Sequence, residues 1–171
     1  MEKVTGIILA GGESKRIGKN KAFLLVGGKR IIERILELFV EIFDQIILVT
    51  SSPLEFQFLD VRIVTDIFPK MGSLGGIYTG LFFCPTEKAM VVACDMPFLN
   101  VDLLRYMMGL APGFDVVIPR VNSMIEPLHA IYSKECLDAL GVMIDRDDLK
   151  VGNLLELVRV RYVGESEIDV Y

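Results

Sequence analysis

The chain alternates short, almost wholly apolar runs with longer stretches in which apolar positions return every three or four residues. The short runs are rich in β-branched residues and predict strands buried on both faces, whereas the longer pattern predicts amphipathic helices. Residues 4–9 read as a first strand. Residues 31–43 follow as a helix, with Ile31, Ile35, Leu38, Phe39 and Ile42 on one side. Residues 45–50 (QIILVT) and 61–65 predict two further strands, and residues 73–83 a helix after a glycine-rich turn, capped by Gly72 or Ser73. A strand over 89–94 (AMVVAC) comes next, then a helix from an Asn100 cap through Leu110 and a strand at 115–118. Residues 128–132 look extended. Two helices at 134–143 and 147–158 and a last strand at 159–163 complete the pattern.

Apolar strands alternating with amphipathic helices predict an α/β fold of three layers, a mostly parallel sheet with helices on both faces. Such sheets bind ligands at the carboxyl ends of their strands. A functional motif is therefore expected directly after a strand. The sequence shows no internal repeat, low-complexity tract or linker, so residues 1–171 are expected to form a single domain.

Composition narrows the class. Of 171 residues, 52% are hydrophobic, too many for a disordered chain, yet no apolar run approaches the roughly 18–20 residues that span a bilayer. The apolar stretch after Met1 is short and soon meets Gly11, Gly12 and Glu13, unlike a signal peptide. Three cysteines without a C-x-x-C pair argue against a disulfide framework or structural zinc and fit a cytoplasmic protein; the single histidine excludes a His-rich metal site. The net charge of −5 argues against general nucleic-acid binding. It hides an asymmetry, because residues 1–30 carry seven basic and two acidic side chains. A local basic cluster on an acidic protein fits a small polyanion; a solvated charged loop is the competing reading.

Chemistry gathers behind three strands. Leu9-Ala10-Gly11-Gly12-Glu13-Ser14-Lys15-Arg16-Ile17-Gly18-Lys19-Asn20-Lys21 follows the first. Gly11 and Gly12 lack Cβ atoms, so their N–H groups can approach an anion closely; Arg16 can fork onto phosphate oxygens and Lys21 adds a compact charge. The segment fits neither the G-x-x-x-x-G-K-[ST] nor the G-x-G-x-x-G pattern. Cys94-Asp95-Met96-Pro97 ends the most apolar strand, where Asp95 can hold Mg²⁺ together with substrate phosphates, or alternatively cap a turn or the following helix. Thr65-Asp66 precedes Gly72-Ser73-Leu74-Gly75-Gly76, which opens a helix whose N-terminus favours anions; ordinary turn chemistry explains it equally. His129, in Glu126-Pro127-Leu128-His129-Ala130, is kept as a substrate-facing group.

Taken together, LAGGESKRIGKNK, Asp66 with the 72–76 turn, CDMP and EPLHAIY resemble the molybdenum cofactor guanylyltransferase family, the MobA-like nucleotidyltransferases, in order from about residue 4 to 133. Gly11-Gly12 looks like the guanylyl branch; related cytidylyl enzymes carry Ala in place of the first glycine. The resemblance implies a Rossmann-like nucleotidyltransferase fold, GTP and a molybdopterin-type substrate, with Mg²⁺ as cofactor. It implies nucleotide contacts at Leu9, Ala10, Gly11, Gly12, Lys21, Asp66, Gly72 and Asp95, with Asp95 the magnesium ligand and Arg16, Lys21 and Asp95 the catalytic groups. Neither a nucleic acid nor a membrane is expected as partner; transient contact with cofactor-biosynthesis proteins or acceptor molybdoenzymes is. CTP or another phosphorylated acceptor, and a GTP-binding module without catalysis, are the alternative readings. The family's F-x-N-x-N-T-P segment has no counterpart in this sequence.

Overall fold

A computed structural model of the chain describes residues 3–11 and 20–171. Its strands are β1 (Val4–Leu9), β2 (Leu25–Val26), β3 (Lys29–Arg30), β4 (Ile46–Thr50), β5 (Arg62–Thr65), β6 (Lys88–Ala93), β7 (Val116–Val121), β8 (Met124–Ile125), β9 (His129–Ser133) and β10 (Val160–Gly164). Its helices are α1 (Ile31–Val40), α2 (Gly72–Phe83), α3 (Val101–Leu110), α4 (Leu137–Asp145), α5 (Val151–Leu154) and α6 (Glu165–Ile168). Eight strands form one sheet in the order β10-β7-β9-β6-β1-β4-β5, with β8 beside β7; β2 and β3 form a separate hairpin.

The sheet is mostly parallel, as the pattern predicts. β6, β1, β4 and β5 run parallel to one another, and β10 runs parallel to β7. The exceptions are β9, which lies antiparallel between β6 and β7, and β8, which is antiparallel to β7. Helices cover both faces. Ile32, Ile35 and Phe39 of α1 and Leu104 and Met107 of α3 pack with Ile8 and Val92 on one face; Leu74, Ile77 and Leu81 of α2 and Leu140 of α4 pack with Ile7 and Val91 on the other. Burying both faces is what an uninterrupted apolar strand such as β6 requires. Among the described residues no helix is long and apolar enough to cross a membrane.

Local chemistry redraws several boundaries. The helix expected over 147–158 contracts to the single turn of α5. Asp147 takes a left-handed φ of 56°, and the Asp148 carboxylate accepts from the Asn153 amide at 2.9 Å, a local bond that competes with helix continuation. α1 stops at Val40, ahead of the expected residue 43. At the edge where β7 and β10 begin, Asp115 accepts from the Arg159 backbone N–H at 2.8 Å and from its guanidinium at 3.0 and 2.7 Å. That clasp fixes the register of the outermost parallel pair.

Candidate active site

β1 and β6 lie side by side, so their carboxyl ends open onto one edge of the sheet. A cavity of about 130 Å³ sits there, lined by Leu9 and Gly11 from the β1 exit, Asp66, Gly72, Ser73 and Gly76 from the β5–α2 connection, Ala93, Cys94 and Asp95 from the β6 exit, and Leu128. The groups expected behind three separate strands thus meet.

Each wall has a local cause. Ala10 donates its N–H to the Val49 carbonyl at 2.8 Å and accepts from the buried Thr50 hydroxyl at 3.1 Å, so its backbone groups bind β4 and fix the direction in which the chain leaves β1. Leu9 is buried and accepts at its carbonyl from the Cys94 N–H at 3.0 Å, which carries the β1–β6 pairing beyond β6 to the residue before Asp95. Asp66 divides its labour. Its Oδ1 accepts from the Phe68 N–H and from the fully buried Thr79 hydroxyl, both at 2.9 Å, while Oδ2 lies 3.8 Å from where a Cβ on Gly11 would stand. Turn chemistry and a cavity-facing carboxylate oxygen therefore coexist in one residue.

α2 begins at the cavity without a side-chain cap. The cap expected from Gly72 or Ser73 is not made: Met71 takes the cap position and Gly72 enters the helix with a φ of 54°, a left-handed conformation that favours glycine. The first-turn N–H groups of a twelve-residue helix are left for a ligand or water, at the end where the helix dipole attracts negative charge. Gly75 has another reason to be glycine, since a Cβ there would collide with the Phe68 carbonyl oxygen. It serves packing of the turn, where the sequence suggested ligand approach.

Lys21 does not line the cavity, but its Nζ stands 3.6 Å from Oδ2 of Asp95, which does, with the two side chains 49% and 38% exposed. Lys21 is placed by a short 3-10 turn, Lys21–Phe23, in which Asn20 accepts from the Ala22 N–H at 3.1 Å and Ala22 is fully buried. The helix-capping alternative for Asp95 is not realised. Asn100 caps α3 itself, accepting from the N–H groups of Asp102 and Leu103 at 2.9 and 3.2 Å. Cys94, next to Asp95, is no nucleophile: burial, reinforced by the neighbouring carboxylate, pushes its thiol up to about 12.

The basic cluster, by contrast, disperses. Lys3 pairs with Asp44 at 3.3 Å, Lys29 with Glu37 at 2.6 Å, and the Arg30 guanidinium lies 4.7 Å from the centre of the Phe58 ring. Among the described members of the cluster only Lys21 pairs with a residue that lines the cavity. Gly12 and Arg16 lie outside the described residues. His129 does not line the cavity; it pairs with Val92 in the β9–β6 ladder, and burial lowers its pKa. Sequence reasoning misses Thr79 and Ala93, and takes Ser73 only as a cap candidate and Leu128 only as part of the His129 motif. Thr79 left a trace, a polar side chain in the otherwise apolar stretch IYTGLFF.

Comparison with known proteins places this arrangement in context. A family model described as MobA-like NTP transferase domain matches residues 6–160. The chain is 39% identical over 168 residues to a protein of Pelotomaculum thermopropionicum named "Probable molybdenum cofactor guanylyltransferase", covering 98% of this chain and 82% of that protein. It is 35% identical over 170 residues to the molybdenum cofactor guanylyltransferase of Desulfosudis oleivorans, covering 98% and 84%. Among solved structures it is similar to molybdopterin-guanine dinucleotide biosynthesis protein A from Archaeoglobus fulgidus, with a TM-score of 0.84 and 27% identity over 98% of this chain and 86% of that one.

Proposed function

The chain belongs to the MobA-like NTP transferase family, and from that premise we propose that it is a molybdenum cofactor guanylyltransferase, with residues 1–171 acting as one nucleotidyltransferase domain. It joins GMP, taken from GTP, to a molybdopterin-type acceptor. An oxygen of the acceptor's terminal phosphate forms a bond to the α-phosphorus of GTP, the bond between the α- and β-phosphates breaks, and pyrophosphate leaves.

The observation that carries this reading is the 3.6 Å approach of Lys21 to Asp95, which lines a cavity together with Asp66 and the uncapped start of α2. A phosphate nucleophile is already ionised near neutral pH, so no strong general base is needed. The protein's task is to align two anions and to offset charge in the transition state. Gly11, Gly72 and Ser73 offer close backbone approach to the nucleotide, Leu9 supplies an apolar wall and Ala10 holds that wall on β4. Lys21 neutralises the leaving pyrophosphate, a role that the sequence motif assigns to Arg16 as well. Asp66 positions the nucleotide through the carboxylate oxygen that the turn leaves over.

Among the described residues no group of three or more His, Cys, Asp or Glu side chains could hold a metal ion alone. One exposed carboxylate, Asp95, with Asp66 on the same cavity, is a donor set that fits Mg²⁺ held largely by substrate phosphates and water. Bound there, Mg²⁺ would withdraw charge from the phosphate oxygens. Asp95 would hold it, and Lys21, released from the carboxylate, would turn to the triphosphate. On this reading the enzyme works in the cytoplasm and hands its product to acceptor molybdoenzymes.

The test supplies the purified protein with molybdopterin, Mg²⁺ and each nucleoside triphosphate in turn and follows pyrophosphate. Release with GTP that requires the acceptor is the expected result. Release with CTP alone, or GTP binding without release in any acceptor mixture, would overturn it.

A further inference from the structure

The cavity occupies only part of the ligand-binding edge. Its far wall is Leu128, whose carbonyl accepts from the Ala93 N–H at 3.2 Å and so lies directly across from it. The ladder continues this row. Met90 pairs with Ile131, which pairs with Val117, so three residues further along the parallel strands Ala93 is level with Arg120. The faces agree as well, because Val91 and Ile118, two residues before Ala93 and Arg120, belong to the same core layer. Ala93 and Arg120 thus lie at the same level on one face of the sheet, with Leu128 across from Ala93 and Ile125 of β8 across from Arg120. With strands about 4.8 Å apart, Arg120 stands about 10 Å beyond Ala93.

Arg120 is exposed, and its guanidinium carbon lies 4.1 Å from the centre of the Tyr162 ring, on the neighbouring strand β10. No carboxylate among the described residues pairs with it, whereas Arg159 and Arg161, close by in sequence to Tyr162 but on the opposite face of the sheet, are matched to Asp115 and Glu167. A guanidinium laid on a ring is restrained in the plane, yet its N–H edge stays open for a planar, electron-rich partner. The three strand spacings from Asp66 to Ala93 give about 14 Å, room for a nucleoside triphosphate, and the two from Ala93 to Arg120 give about 10 Å for a second molecule.

We propose that Arg120, backed by Tyr162, binds the acceptor: it holds the oxo-bearing heterocyclic end of the molybdopterin-type molecule while the phosphate end lies beside Asp95. This assignment rests on the guanylyltransferase reading and extends it to a second subsite. A fork that can donate two hydrogen bonds to a ring carbonyl and an adjacent acceptor is the same device by which arginine reads the edge of guanine.

Molybdopterin binding to the intact protein, followed by pterin fluorescence, reads this subsite without turnover. Arg120→Ala is expected to weaken that binding about tenfold to a hundredfold, the usual worth of a charge-assisted hydrogen bond. Its GTP-induced rise in Tm should stay as in the wild type, which also shows that the variant is folded. Arg120→Lys, with charge but no fork, should fall between the two, and Tyr162→Leu should weaken acceptor binding in the same direction. Equal molybdopterin affinity in wild type and Arg120→Ala, or a loss of GTP affinity in its place, would overturn the assignment. So would a wild-type protein that does not bind molybdopterin. Pyrophosphate release from GTP by the wild type judges the transfer reaction separately, so a protein that binds the acceptor through Arg120 and transfers nothing would sink the enzymatic reading alone.

Discussion

Two ion pairs at opposite edges of the same sheet are built for different purposes. At the edge where β7 and β10 begin, Asp115 is nearly buried, its side chain 10% exposed, and takes three hydrogen bonds from Arg159, the shortest 2.7 Å; the guanidinium holds the Asp115 carboxyl below the usual carboxylate range. At the carboxyl edge, Lys21 and Asp95 approach to 3.6 Å with both side chains well exposed and no such hydrogen-bond network. Exposed pairs of that kind contribute little to stability, about 0–1 kcal/mol. The clasp is made to last and the Lys21–Asp95 contact is made to be exchanged. A weak pair set on a rigid frame can be parted by a charged ligand at small cost, and the frame remains.

Substitutions can break this contrast, the largest effect first. Lys21→Ala should lower kcat by about 10²–10³, the loss expected on removing one preorganised charge donor, with Tm unchanged; a variant with normal turnover would remove Lys21 from the mechanism. Asp95→Asn should raise the Mg²⁺ concentration for half-maximal rate by roughly tenfold to a hundredfold, read from a metal titration of pyrophosphate release. Asp115→Asn should do the reverse, lowering stability by about 1–3 kcal/mol in a denaturant titration while kcat per folded molecule stays as it was.

Sequence and structure part company in an instructive way. Strands with continuous apolar runs, such as residues 4–9 and 89–94, are legible because burial on both faces admits few alternatives. The place of β9 is not, since its antiparallel insertion between β6 and β7 depends on pairing across 40 residues of chain. At the site, Asp66, Asp95 and Lys21 could be singled out because each follows a strand or a glycine turn. The fate of Lys3, Lys29 and Arg30 could not. Their neutralising partners Asp44 and Glu37 and the ring of Phe58 are distant in sequence or separated by a helical turn, so a charge count over residues 1–30 overstates what reaches the cavity. Thr50 and Thr79 escaped for a related reason: a hydroxyl that holds two strand exits or a turn is defined by its partner, not by its own letter.

The smallest effect expected concerns acid. Arg161, with help from the Tyr106 hydroxyl and the Gly164 N–H, holds the Glu167 carboxyl at about 2, against an ordinary 4.5. A carboxylate with a depressed folded pKa stabilises the fold above its unfolded value and loses that contribution as pH falls through the folded one. Melting curves should therefore show Tm falling from pH 4.5 toward 2, and Glu167→Gln should flatten that part of the profile. An identical slope in the variant would assign the acid sensitivity elsewhere.

The central claim is that Lys21 and Asp95 part to receive a metal-bound triphosphate, and thermal shift with GTP tests it most directly. Wild-type protein should gain Tm with GTP and Mg²⁺ together well beyond either alone, because a ligand that binds only the folded state raises its stability. Asp95→Asn should lose the magnesium-dependent part of that gain. The same gain in Asp95→Asn as in the wild type would contradict the account.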